Sequence, residues 1–103
     1  MKIIMNRTRS GVEASGEYDP ATKECIVKKG SKVSETVAHS EKFRGANTIE
    51  KYRAEYVKDG VVSKDVHFTS ASTAANFVTG ASTNGMTAWK TKDGKTLKEA
   101  VSN

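Results

Sequence analysis

Residues 82–97, STNGMTAWKTKDGKTL, carry the only Trp of the chain between an Asn-Gly and an Asp-Gly pair. Asp93-Gly94 can reverse the chain in two ways, and the choice decides which side chains share a face. A two-residue turn pairs Lys90 with Leu97 and sets Trp89 and Leu97 on opposite faces. A type I turn closed by a glycine bulge pairs Trp89 with Leu97 and makes one apolar face. Only the second buries both large side chains together, so the sequence predicts the bulged form, with Trp89 inward as the largest group of a small core. On this reading Asn84-Gly85 is a turn, Met86 to Thr91 a strand, and Lys92-Asp93-Gly94 a second turn.

Working outward, residues 71–79 read as a short helix. Ser70 is its N-cap, Ala71, Ala74, Ala75 and Val78 form one face with Phe77 beside it, and Gly80 closes the end. Alanines bury little area each, but they let a helix sit close on a sheet. Residues 48–58 read as a second helix, with Ile49, Tyr52, Tyr56 and Val57 on one face, Asn47 as N-cap, Glu50 in the capping-box position and Gly60 past the end. Val61, Val62, Val66 and Phe68 suggest a short strand leading out.

Residues 12–29 read as a hairpin. Val12, Ala14, Gly16 and Tyr18 alternate with polar residues, Asp19-Pro20-Ala21-Thr22 supplies turn chemistry, and a return strand runs from Glu24 to Lys29 until Gly30-Ser31 ends it. Residues 31–46 show no clear period and are expected to be loop with one short strand. The opening residues, MKIIMNR, read as a short first strand. With 103 residues there is one domain, large enough to bury roughly two-thirds of its unfolded surface. The expected class is α+β: a small single domain of β-hairpins packed with two short helices.

Composition narrows the functional classes. With 36% hydrophobic and 28% charged residues, the chain is an ordinary globular protein rather than a disordered one. Lone Cys25 forms no intramolecular disulfide and sits in a predicted strand as a small core hydrophobe, which suits a reducing, cytoplasmic setting. The apolar run Ile3-Ile4-Met5 is too short for a signal peptide or a membrane span. His39 and His67 stand outside any metal-ligand pattern. No phosphate loop, nucleophile elbow or paired-histidine zinc motif occurs. The expectation is a protein that is not an enzyme, holds no metal or cofactor and meets no membrane.

The net charge of +5 is unevenly placed. Residues 1–9 carry Lys2, Arg7 and Arg9 without an acid, residues 23–32 four Lys against Glu24, and the last stretch four Lys against Asp93 and Glu99. Residues 41–65 are nearly balanced. The excess thus belongs to strands and turns, a distribution suited to meeting an anion. Candidate phosphate contacts are Lys28, Lys29 and Lys32 around Gly30-Ser31, with Ser31 itself, and Lys90, Lys92 and Lys95 around the last turn. Turn N–H groups near Gly30 and Gly85 are candidates to join them, and Asn84 to read a base edge.

The string from Phe68 to Leu97 resembles an uncharacterised small domain found at the C-termini of GIY-YIG nuclease-like and restriction-associated proteins. The matching features are Phe68, Ser70-Ala71-Ser72, Ala74-Ala75, Gly80, Asn84-Gly85-Met86, Trp89-Lys90 and Asp93 to Leu97. Weaker matches upstream are Lys29-Gly30-Ser31 and the group Arg53, Tyr56, Val57 and Gly60. Ala71 stands where that family has Pro, and Met86 where it has Trp. That domain is similar to the RAMA module associated with adenine methylases and restriction enzymes.

The resemblance implies a non-catalytic nucleic-acid-binding accessory domain, with DNA preferred to RNA and a nuclease or methylase as partner. The alternative is a protein–protein interaction module of a restriction-modification or nuclease system, docking through an apolar patch that includes Met86, Phe77 or Tyr18.

Overall fold

Alternating burial along residues 2–6 and again along 12–18 sets the two arms of the first hairpin. In the computed structural model, which describes residues 1–35, 37 and 46–101, β1 (Lys2–Arg7) runs antiparallel to β2 (Val12–Tyr18). Ile3, Met5, Val12, Ala14 and Tyr18 are buried, and the polar residues between them face outward. The Asp19 carboxylate accepts the Ala21 N–H, and the chain returns as β3 (Cys25–Val27) with Tyr18 opposite Cys25. β6 (Val66–Phe68) completes a four-stranded antiparallel sheet in the order β1-β2-β3-β6.

The return strand is shorter than the expected Glu24 to Lys29, because β2 divides its pairing between two partners. Its second half pairs with β3. Nearer its start, Glu13 exchanges backbone bonds of 3.1 and 2.8 Å with Lys32. Segment 30–33 then pairs onward with β5 (Val61–Val62), which forms a ribbon with β4 (Val57–Lys58).

Asp59 and Gly60 link these two strands with φ of 54° and 77°, the double left-handed geometry of a two-residue hairpin turn. Gly60 therefore serves a hairpin and does not cap a helix. The helix α1 (Ala46–Tyr56) begins before Asn47, so Asn47 lies inside it and is not its N-cap, and Val57 belongs to β4. The expected strand from Val61 to Phe68 is two strands, β5 and β6.

α2 (Ala71–Thr79) follows the sequence reading closely. The Ser70 hydroxyl accepts the Thr73 N–H at 3.1 Å, Gly80 closes the helix at φ 71°, and Ala71, Ala74, Ala75, Phe77 and Val78 are buried. The helix lies across β2, β3 and β6, with Phe68 and Phe77 rings 5.1 Å apart. Arg53 of α1 binds the end of α2: its guanidinium donates to the Phe77 and Val78 carbonyls, to the Ser34 carbonyl and to Ser34 Oγ.

Beyond α2 the structure departs from the expected strand Met86 to Thr91. Asn84 is an N-cap: its Oδ1 accepts the Met86 N–H at 3.0 Å and opens a four-residue helix, α3 (Gly85–Ala88). Trp89 then extends the chain, and the bulged turn forms in the predicted register. Leu97 N–H donates to Trp89 O at 2.9 Å, Thr91 N–H to Lys95 O at 2.8 Å and Gly94 N–H to Thr91 O at 3.0 Å, with Gly94 at φ 87°. Trp89 and Leu97 are both fully buried, and Leu97 opens a final helix, α4 (Leu97–Val101). Two short helices thus join the two expected, within an α+β fold.

Gly85 faces the start of α2 at close range. A Cβ there would stand 2.3 Å from both the carbonyl carbon and the oxygen of Ala71. Gly85→Ala is expected to destabilise by about 1–3 kcal/mol or more. Gly94→Ala, which strains a left-handed residue in open space, is expected to cost about 1–2 kcal/mol. Thermal melts followed by circular dichroism check the order: the Gly85 variant should melt lower.

Candidate functional site

Strand register decides which of the cationic candidates face solvent unopposed. The outward residues of β2 are Glu13, Ser15 and Glu17, so an acidic column runs down the open face of the sheet. Lys28 lies 3.9 Å from Glu17 and 3.5 Å from Asp65, and Lys32 lies 3.7 Å from Glu13. The Lys29 N–H donates to the Asp65 carboxylate at 2.8 Å. That hydrogen bond, with the charge of Lys28 added, holds Asp65 below the usual carboxylate range. The first basic group is therefore interleaved with carboxylates rather than gathered on a bare strip.

Four polar candidates are committed to the fold. Ser31 is buried, and its hydroxyl accepts the Ser15 N–H at 3.1 Å while donating to the Ser15 carbonyl at 3.2 Å. It acts as a ladder rung where the two partners of β2 part, and it is not a surface contact. Asn84 caps α3 and so does not offer its Oδ1 to a base. The turn N–H groups proposed as anion donors have partners as well: Gly30 donates to the Val62 carbonyl and Gly85 to Ser72 Oγ. Of the first group only the exposed Lys29 side chain lacks an ion pair among the described residues.

The last turn behaves differently. Lys90 exchanges both backbone bonds with Ile4, at 2.7 and 2.9 Å, and so extends the sheet beyond β1. Lys90, Arg7 and Lys92 border a cleft of about 470 Å3 together with Asn6, Ala88 and Thr91. All three cations are exposed, and among the described residues none makes an ion pair and no carboxylate lines the cleft. Lys95 sits on the same turn beside Asp93. The Thr91 hydroxyl donates to the Asp93 carboxylate and is the main cause of its lowered pKa. Asp93 thus stays ionised and offsets Lys95.

Arg7 was visible in the sequence only as part of an acid-free stretch. Its place beside Lys90 and Lys92 depends on the pairing of β1 with the chain's last turn. A larger groove, about 810 Å3, mixes Arg9 and Lys32 with Glu35 and Asp59 and so presents no single sign of charge.

Other candidates resolve plainly. Burial pushes the Cys25 thiol up to about 12, which leaves it protonated and inert near neutral pH. His67 is exposed on the open face opposite Ile26, and His39 lies outside the described residues. No cluster of three metal-ligating side chains occurs among the described residues, and no helix there is long and apolar enough to cross a membrane. Of the residues expected in an apolar docking patch, Tyr18 and Phe77 are buried and Met86 packs against the core. Core packing also accounts for Met at that position, since a flexible thioether fills an irregular gap.

Residues 4–101 match the family described as a domain of unknown function, DUF4357. No curated protein and no solved structure matches the chain.

Ser31→Ala is expected to destabilise by about 1–3 kcal/mol, because it strands the Ser15 N–H, whereas the Ser15 carbonyl keeps the Lys28 N–H at 2.9 Å; Lys29→Ala should change stability by less than about 0.5 kcal/mol. Chemical denaturation distinguishes them. The depressed pKa of Asp65 contributes stability that is complete above the ordinary Asp range and is lost as pH falls through its folded value. Asp65→Asn should accordingly show a shallower decline of Tm with acid than the parent chain.

Proposed function

The chain belongs to the DUF4357 family, and we propose that it is a non-catalytic accessory domain that binds nucleic acid, DNA in preference to RNA, by its phosphate backbone. The contacts are Arg7, Lys90 and Lys92, with Lys95 on the same turn and Lys29 on a second groove that shares Ile4 and Asn6 with the cleft. One observation carries this reading. Backbone pairing of Lys90 with Ile4 brings cations from opposite ends of the chain to one cleft that no carboxylate of the described residues lines.

Electrostatic contacts of this kind attract phosphates regardless of sequence and position a duplex rather than read it. The likeness to domains that accompany nucleases and adenine methylases supports DNA as the ligand and such an enzyme as partner, in the cytoplasm. The ion pairs of Lys28 and Lys32 assign those residues to the sheet's own charge balance.

Three phosphate contacts predict that affinity for a duplex oligonucleotide falls about 40-fold between about 50 and 200 mM salt. The double variant Lys90→Ala, Lys92→Ala should bind weakly and show a shallower salt slope. The double variant Lys28→Ala, Lys32→Ala should bind as the parent does. Fluorescence anisotropy measures all three. A flat salt response, or equal losses in the two double variants, would contradict the proposal.

A further inference from the structure

The backbone of β1 has two sides, and register tells them apart. Met1 and Tyr18 exchange bonds of 3.1 and 2.9 Å, so the odd-numbered residues of this strand turn their N–H and C=O toward β2. The even-numbered residues turn theirs to the opposite side. There the Ile4 pair is taken by Lys90.

One pleat further on, the Asn6 pair points the same way, into the cleft beside Arg7, Lys90 and Lys92. The neighbouring chain cannot answer it, because Asn84 has capped that chain into α3, which runs to Ala88. Among the described residues the Asn6 backbone N–H has no hydrogen-bond partner, and Asn6 is exposed.

We propose that the Asn6 backbone N–H is a direct ligand of a phosphodiester oxygen, the edge of β1 supplying the directional contact and the three cations the charge. This rests on the reading of the cleft as a nucleic-acid site. Long Lys and Arg side chains attract an anion without fixing where it sits. An N–H mounted on a strand that β2 and Lys90 hold in place is rigid, and its bond to a charged oxygen is of the strong, charge-assisted kind. The phosphate therefore docks in register with the strand, which orients the bound backbone along the β1 edge. Neither the Asn6 side chain nor any base is needed for this.

Amide spectra of the full-length, isotope-labelled chain test it, with a duplex DNA oligonucleotide as the titrant and polyglutamate and inorganic phosphate as controls. The Asn6 amide should move downfield and rank among the largest shifts with the duplex, and much less with either control. Asn6→Pro removes this N–H at an edge position where Pro is tolerated, and should weaken duplex binding about tenfold. Asn6→Ala keeps the N–H and should alter affinity by less than about twofold.

If the duplex binds through Lys90 and Lys92 while the Asn6 amide stays still and Asn6→Pro binds normally, the inference fails and the cleft reading survives. If no duplex binding occurs at low salt, the cleft reading fails and takes the inference with it. Equal amide responses to duplex and polyglutamate, or to duplex and inorganic phosphate, overturn the phosphodiester assignment. Should Asn6→Pro not fold, the amide response of the parent chain decides.

Discussion

An indole buried in a chain of this size loses its water, and its N–H must find an acceptor or carry a penalty of kilocalories. Trp89 Nε1 donates to the Ala71 carbonyl at 3.0 Å, with the ring fully buried. Ala71 is the first residue of α2, and Gly85 at the start of α3 lies against the same peptide, close enough to exclude any side chain. The Gly85 N–H donates to Ser72 Oγ at 3.0 Å, which locks the approach from the other side. Helix start, helical turn and final reversal therefore meet at one carbonyl. Truncating such a side chain in other cores costs about 3–5 kcal/mol, a large share of what a domain of this length has to lose.

The placement of charge follows from that anchor. Trp89 points inward, so in an extended chain its neighbour Lys90 points outward. Pairing with Ile4 then sets Lys90 beside the strand that ends in Arg7. The open face of the sheet has the opposite character, since β2 presents Glu13 and Glu17 at its outward positions and the adjoining lysines answer them. Exposed ion pairs of this sort add little to stability. They do cancel the local field, and they leave the edge of β1 as a place where cations gather without acids.

Legibility in the sequence tracked the range of the interactions involved. The Ser70 cap, the Gly80 stop, the reversal from β2 into β3 and the bulged register at Gly94 all rest on neighbours a few residues apart or on one alternating pattern, and each is readable directly; the pairing of β1 with β2 is not. Asn84-Gly85 was ambiguous, because Asn suits a turn and an N-cap equally and a four-residue helix has no period to detect. Gly60 suits a helix end in the sequence, though Asp59-Gly60 is equally good hairpin chemistry. The fork of β2 at Ser31 was invisible, since it depends on pairing Ser15 with a residue from another segment. So was the neutralising of Lys28 by Asp65, which joins two segments on the face of a sheet whose order no local pattern specifies.

Amide hydrogen exchange under native conditions tests most directly whether the last turn is locked to β1 and so holds its cations in place. The account predicts that the amides of Ile4, Lys90 and Leu97 and the indole N–H of Trp89 exchange only through global unfolding, at a rate shared with the core of β2, while the Asn6 amide exchanges fast. Fast exchange at Lys90 and Leu97 with β2 still protected would mean that the C-terminal turn detaches on its own, and the cleft would then have no fixed geometry.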